Sequence, residues 1–518
     1  MTLNIREQSK TIIAALLFAA SWSFAAAAQE GNPQSAEELR KEIRQLQEQM
    51  AEQQRAFEKR IARLERRVEE TTSEESSDSA EDANLEALLA KERESERDAA
   101  SSTAERPVSS TKSAFQSMNP DISVIVDGFY HKDDSSKGIQ HIFEEIAGFG
   151  HSHEGDHDHG HEHSHLEDGF NLRHLELHLA AEVDPYFRGW AIGAISEEGA
   201  ELEEAVLQTT ALPWGLQLQG GKFFSNFSRI NAQHAHEWDF VDAPLVHQLL
   251  FGDHGLNEKG FQLSWLAPTP FQMLLGMEAL QGENELAFDH HGDGPFSDES
   301  GPRLWIGWLK LAPDLRDPHG LQIGLAGGRG VHQEEHDALD NDEWFNNGNV
   351  VSVSDGEPDH WMDGDTTFFS ADLVYKYDDT RPYGIGDWTA EAGYLWREKD
   401  LELVDHILPA APLGNDRVDT QDGYYAQALY GFAPRWRTGL RWEQIGLANR
   451  SVSPTGNRES YDDSQRASLM LDYSPSEFSR LRLQVARGEY ETEDGGEDVW
   501  QFFLQWTVSL GTHGAHSF

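Results

Sequence analysis

The chain has 518 residues, no cysteine, and a formal net charge of −50 from 91 acidic and 41 basic side chains. So acidic a chain repels nucleic acid and other polyanions and draws cations, and without cysteine it has neither a disulfide nor a thiolate metal site. A mean hydropathy of −0.61, with 10% aromatic residues and 45 glycines, suits water-facing β-structure better than a helical enzyme.

The first 28 residues read as a secretory signal peptide. Arg6 and Lys10 precede an apolar stretch from Ile12 to Phe24, and Ala26-Ala27-Ala28 offers a small-residue cleavage site before Gln29. No cysteine stands at that point to take a lipid, and no later run approaches the ~18 apolar residues of a membrane helix. Residues 35–68 then follow a heptad pattern. Leu39, Ile43, Leu46, Met50, Gln53 and Phe57 are spaced 4-3-4-3-4, and Ile61, Leu64 and Val68 continue after an extra four-residue step. The pattern predicts an α-helical coiled coil about 50 Å long, with Gln53 as a polar core position able to set register. Residues 69–119 are rich in Ser, Glu, Asp and Ala and read as an acidic disordered spacer.

From residue 120 to 518 the period changes to two. Sixteen strand candidates follow: about 122–131, 171–183, 188–196, 201–210, 215–222, 259–266, 270–279, 302–312, 320–329, 367–377, 386–398, 421–432, 434–445, 464–474, 479–488 and 498–510. In the second, Leu175, Leu177 and Leu179 face away from His174, Glu176 and His178; in the last, Trp500, Phe502, Leu504, Trp506, Val508 and Leu510 share a face. Apolar-out, polar-in alternation over about ten residues is the pattern of a transmembrane β-barrel. Connections after odd strands are mostly long and acidic, while those after even strands are mostly short and carry proline, as in Asp184-Pro185, Ala433-Pro434 and Ser474-Pro475. Long outer loops alternating with short periplasmic turns belong to outer-membrane barrels rather than sandwiches. The predicted fold is therefore an all-β transmembrane barrel of about sixteen antiparallel strands in the bacterial outer membrane, behind an N-terminal coiled coil. An even strand count puts both barrel ends in the periplasm with that coiled coil.

Three groups of residues point to metal. The first long loop carries His151, His153, His157, His159, His161, His163 and His165, interleaved with Asp, Glu, Gly and Ser over 151–165. Imidazole suits zinc, copper and nickel, and a run without apolar residues stays exposed, so it reads as a flexible multi-site scavenger. The loop after the fifth strand, 223–258, holds His234, His236 and Glu237, then Asp239, Asp242, His247, Asp253 and His254. In an extended segment His234 and His236 share a face, and two imidazoles with the Glu237 carboxylate make a three-ligand zinc set with an open position. His174, Glu176 and His178 point into the lumen, with alternate side chains about 7 Å apart, too far for one ion unless neighbouring elements contribute. His332-Gln333-Glu334-Glu335-His336 lacks the H-E-x-x-H order of a helical metal pair. No nucleophile elbow, phosphate loop or Cys–His pair is present, so the chain reads as a non-enzyme with no prosthetic group.

Several segments resemble a known family: Met118-Asn119-Pro120-Asp121-Ile122-Ser123-Val124 at barrel entry, Val183-Asp184-Pro185-Tyr186-Phe187 at the first turn, and Gly221-Lys222-Phe223-Phe224 leading into Asn231-Ala232-Gln233-His234-Ala235-His236. Ser474-Pro475-Ser476-Glu477-Phe478-Ser479-Arg480 and the end Gly511 to Phe518 complete the set. Together they resemble porin-like outer-membrane proteins linked with bacterial zinc uptake, often labelled TonB-dependent receptors and near the phosphate-selective porin-like barrels. The resemblance implies passive entry of zinc or a related divalent cation and, with the coiled coil, a homotrimer in outer-membrane lipid. Receptors of the TonB-coupled kind have a folded plug and 22 strands, whereas here a coiled coil and spacer precede sixteen. The rival readings are a general or anion-selective porin, for which Arg480 and Arg482 offer a basic ladder, a metal-buffering surface protein tied to the cell wall by its coiled coil, and a TonB-coupled receptor. Deleting residues 151–165 should abolish most of the weak zinc-binding capacity seen at about pH 7.5, where imidazole is neutral, and leave the barrel folded. Unchanged zinc stoichiometry by equilibrium dialysis would refute the scavenger role.

Overall fold

A computed structural model describes residues 120–149, 166–196, 199–288, 301–337, 358–406, 416–453, 456–492 and 494–511. The segments read as signal peptide, coiled coil and acidic spacer, the His-rich run 151–165 and residues 512–518 lie outside them.

The strands are β1 (Asp121–Asp133), β2 (Gly169–Asp184), β3 (Phe187–Ile195), β4 (Ala200–Thr209), β5 (Leu216–Phe224), β6 (Asn257–Leu266), β7 (Gln272–Leu280), β8 (Leu304–Ala312) and β9 (His319–Asp337). They continue as β10 (Pro358–Tyr377), β11 (Trp388–His406), β12 (Asp416–Ala433), β13 (Trp436–Ile445), β14 (Arg450–Val452), β15 (Arg458–Ser460), β16 (Ser464–Ser476), β17 (Ser479–Thr492) and β18 (Gly495–Gly511). Each wall strand pairs antiparallel with the next, β13 passes directly to β16, and β18 pairs back onto β1. At that seam Ser123 lies opposite Gly511 and Asp133 opposite Gln501. Sixteen strands thus close into a barrel, which satisfies the backbone groups that a free edge would leave in lipid.

The side-chain alternation fixes which face meets lipid. Along β18, Trp500, Phe502, Leu504, Val508 and Leu510 are exposed, and Gln501, Phe503, Gln505 and Ser509 between them are buried. Along β13, Leu440 and Trp442 face out while Arg441 and Glu443 are buried. Aromatic side chains gather at the short-turn rim, where Trp436 stacks on Tyr473 with ring centres 4.6 Å apart and Tyr375 meets Trp388. An apolar outer band with an aromatic rim is what the hydrocarbon core and its interface require. The chain is a β-barrel of the bacterial outer membrane.

Two features depart from the sequence reading. First, β9 to β12 run 18 to 20 residues, so much of 330–337, 358–366, 399–406 and 416–420 is paired strand rather than loop. There Asp363 lies opposite both Gln333 and Glu402. Beyond the membrane no lipid selects an apolar face, so the alternation fades while the backbone ladder continues. The β14–β15 hairpin, three residues a side, is too short to leave a periodic signal.

Second, the lumen is not polar throughout. Three short helices fold inward from long connections: α1 (Ile139–Glu144), α2 (Leu245–Phe251) and α3 (Glu285–Phe288). Ile139, Ile142 and Phe143 of α1, Leu245, Leu250 and Phe251 of α2, and Phe288 of α3 join one buried apolar cluster. Its wall partners include Phe223, Ile306, Phe368, Leu395, Tyr425 and Tyr490. Those side chains occupy inward positions because helices with apolar faces need an apolar surface to rest on.

Leu440 is the most exposed apolar side chain in the middle of β13, at 64%. Leu440→Arg should cost about 2–4 kcal/mol of folding stability if it lies near the bilayer midplane, read as a lower urea midpoint for refolding into lipid vesicles. A neutral result would mean that Leu440 does not face hydrocarbon.

Candidate metal centre on the inward loop

The connection between β5 and β6 crosses the barrel interior, and its neck is closed by its own residues. The Asn231 amide donates to the Ser225 and Leu256 carbonyls, and its oxygen accepts from the Leu256 N–H at 2.7 Å. Beyond the neck the wall receives the loop with a row of arginines. Arg482 donates to the Trp238 carbonyl at 2.9 Å, Arg397 to the Leu250 carbonyl at 2.7 Å, and Arg480 and Arg173 to the carbonyls of His236 and Val241. Arg437 pairs with Asp239 at 3.2 Å. Asp242 sits between Arg441 at 2.7 Å and Arg466 at 2.8 Å and also accepts from Gln484. Glu443 holds the same two arginines and accepts the Leu245 N–H at 2.6 Å. Burial opposes ionisation of Asp242, yet the two guanidiniums hold its carboxyl well below the usual carboxylate range.

The basic ladder considered for Arg480 and Arg482 therefore exists, but it binds the loop. The Asp239 and Asp242 carboxylates are likewise taken up by arginine. His247 is buried at 3% exposure and stacks on Phe227 at 5.6 Å, where burial pushes its pKa down to about 3. It belongs to the packing of α2 and not to a ligand set.

Held in this way, the loop carries His234 and His236 onto the wall beside His174, Glu176 and His178. The two sets that the sequence kept apart form one cluster centred on the fully buried Glu176 carboxylate. His174 Nε2 lies 2.5 Å and His236 Nδ1 2.9 Å from Glu176 Oε1. His178 Nε2 lies 2.8 Å and His234 Nδ1 3.8 Å from Oε2. The His234 and His236 rings stack 5.8 Å apart, and Phe224 meets His234 edge-on.

The carboxylates that complete the set are not the expected Glu237. Glu203 lies 3.3 Å and Glu204 3.9 Å from His234, whereas Glu237 follows in the 3-10 turn Ala235–Glu237 outside the close ligand groups. Glu203 and Glu204 went unseen in the sequence because strict alternation sends one of two adjacent residues outward. A register shift in the β3–β4 pairing, where Ile192 faces Glu204 but Gly193 faces Leu202, is a β-bulge that turns both inward. A second bulge in β1–β2 skips Arg173 and lets it reach the loop beside His174. On the loop, outside the strands, burial disfavours charge on both imidazoles. His234 is nonetheless pushed up to about 10 by Glu203, Glu176 and Glu204, while burial keeps His236 below its ordinary value.

Imidazole with carboxylate is a donor set for zinc, nickel, copper or cobalt. The geometry brings His174, Glu176, His178, His234 and His236 together. It leaves out Glu237, and it sets His332 in a buried hydrogen-bond network with Glu334 and Lys399. The His-rich run lies outside the described residues. A smaller group, His131, Asp133 and Asp168, has ligand atoms within 4.8 Å, but Asp168 is already engaged by Lys132 and the Asp133 N–H.

No family model matches the chain. An uncharacterized protein of Aquifex aeolicus (strain VF5) is 35% identical over 358 residues, 68% of this chain and 70% of that one. Among solved structures, the outer membrane channel DcaP of Acinetobacter baumannii is 12% identical at a TM-score of 0.44, covering 78% of this chain and all of its own. An anion-selective porin from Comamonas acidovorans is 12% identical at a TM-score of 0.41, over 76% and 99%.

Asp242→Asn should loosen the loop, raising hydrogen exchange of amides in 239–251 about tenfold or more for a loss of ~1.4 kcal/mol. The pH sense follows from the lowered pKa. Asp242 stabilises docking fully above the unfolded carboxylate value of about 4, and that contribution is lost only as pH falls through its lower folded value. Exchange in the wild-type loop should thus stay slow at about pH 4. A variant loop as protected as wild type would show that the arginine clasp on Asp242 does not hold it.

Proposed function

The chain belongs to the same family as the Aquifex aeolicus protein, and we propose that it is an outer-membrane channel passing zinc or a related divalent cation without energy coupling. The observation that carries this reading is the Glu176 cluster, where four imidazoles and three carboxylates meet at the junction of the inward loop and the wall. Among the described residues, Glu176, Glu203 and Glu204 have no lysine or arginine in their close ion pairs, so the charge that answers them there is a proton on histidine or a metal ion. Arg173, Arg397, Arg437, Arg441, Arg466, Arg480 and Arg482 are committed to the loop, so the Arg480–Arg482 ladder is not free to serve an anion as in a phosphate-type porin. In this reading the His-rich run 151–165 gathers metal at the mouth, the acidic surface concentrates cations, and the cluster binds tightly enough to admit an ion and loosely enough to release it. The coiled coil over 35–68 would join three copies on the periplasmic side and reach toward the cell wall.

A second reading rests on the apolar cluster formed by α1, α2 and α3 inside the barrel. A barrel packed in this way could hold metal at its outer side without conducting, as a metal-buffering surface protein.

Planar-bilayer conductance of the purified protein separates the two. A channel should show cation preference in a salt gradient and a current blocked by zinc. His234→Ala with His236→Ala should weaken that block at least about tenfold while changing potassium conductance much less, since potassium feels the diffuse acidic field and zinc also coordinates imidazole. No conductance with zinc binding intact would favour the buffering protein, and a clear anion preference would overturn the cation channel.

A further inference from the structure

We infer that the Glu176 cluster takes two divalent transition-metal cations side by side, one on each oxygen of the Glu176 carboxylate, each tying the inward loop to the barrel wall. This rests on the metal-channel reading and adds the number and arrangement of the ions.

The cluster is two triads of mutually close ligand atoms that share only Glu176. His174, Glu176 and His236 form one, and Glu176, Glu203 and His234 the other; within each, the ligand atoms lie within 4.8 Å of one another. The division follows the carboxylate. His174 and His236 address Oε1, while His178 and His234 address Oε2. Each triad draws one ligand from the loop, His236 or His234, and a further one from the wall, His174 of β2 or Glu203 of β4.

His178 and His236 make aligned hydrogen bonds to Glu176, but a purely structural cluster would align all its members, and this one does not. His174 Nε2, His234 Nδ1 and one oxygen of Glu203 are buried without an aligned hydrogen-bond partner. His174 and Glu203 are each more than nine-tenths buried, so water does not readily make good the loss. A cation satisfies them because it binds lone pairs that converge on a point rather than along an N–H axis. Three protein ligands per ion leave an open position on each, as in zinc sites that exchange their fourth ligand.

Two like charges on one carboxylate weaken each other. The first ion therefore binds more tightly than the second, and entry of the second favours departure of the first. That is knock-on between adjacent sites, which lets a strong donor set still release its ion.

The test is anomalous diffraction from crystals of the full-length protein soaked in zinc, recorded at the zinc edge. Two peaks at the cluster, on opposite oxygens of Glu176, are expected. A single peak would overturn the two-ion arrangement and leave the metal-channel reading standing, and no peak at the cluster would overturn both. In solution, cobalt titration followed by its visible d–d bands gives a second measurement. Glu203→Gln should weaken the ion of the Glu203–His234 triad by at least the ~10–100-fold that loss of even an outer partner costs and leave the ion of the His174–His236 triad nearly unchanged. Glu176→Gln should weaken both. Equal loss of both ions in Glu203→Gln would contradict two separate triads.

Discussion

A loop folded into a barrel carries its peptide groups away from bulk water, and each must find a partner there. This constraint organises the interior. The loop between β5 and β6 has little regular structure of its own, so its carbonyls at His236, Trp238, Val241 and Leu250 depend on side chains from the wall. Arginine suits the task, since its fork of donors reaches a carbonyl and a carboxylate together. Arg441 does both, meeting the carbonyl and the carboxylate of Asp242. The guanidiniums are in turn buried, and Asp242, Glu443 and Asp472 answer their charge. Removing one member leaves an unpaired buried charge, which costs far more than a surface ion pair is worth. The loop's position is therefore fixed by many mutually dependent contacts.

That fixed position creates the histidine–carboxylate cluster. His234 and His236 meet His174, Glu176 and His178 only because the segment just beyond them is pinned by Arg482, Arg437 and Arg441. The interior also acquires two unlike sides. Strands β11, β13, β16 and β17, with Arg173 of β2, bring arginine to the loop, while β2 brings imidazole and carboxylate and β4 brings carboxylate. In the proposed channel a cation would be drawn toward Glu176, Glu203 and Glu204, so the arrangement that holds the loop would also aim the ion.

The barrel was legible in the sequence because lipid imposes a strict rule on one face of each strand. Leu175, Leu177 and Leu179 on β2, or Trp500 to Leu510 on β18, alternate as hydrocarbon demands, and proline marks the short turns. Where lipid ends, the rule ends, so the outer parts of β9 to β12 and the β14–β15 hairpin left no trace. The site was legible in part. Histidines two apart on a strand and two apart on a loop each suggested ligands, but their meeting depends on where the loop docks, which no local pattern encodes. Glu203 and Glu204 were hidden by a bulge, a one-residue irregularity that reverses the inward–outward assignment. The apolar inward residues, Phe223, Phe368 and Tyr425, look in the sequence like ordinary strand aromatics, and only the inward helices explain their direction.

The apolar cluster and the histidine cluster act on each other through the one loop. α2 is anchored through Phe251, which meets Phe227 and Phe368, and the histidines lie a few residues before it on the same segment. Metal binding at Glu176 stabilises whichever loop position brings His234 and His236 to the wall, by as much as the ion prefers that position over others. A loop already held by arginine and by apolar packing has little freedom left to lose, so ordering it takes little from the binding energy of the ion. On the proposed reading, an interior built this way favours rapid capture at a preformed site. Release must then come from competition at the site itself, by a second ion or by protons, rather than from large movement of the loop.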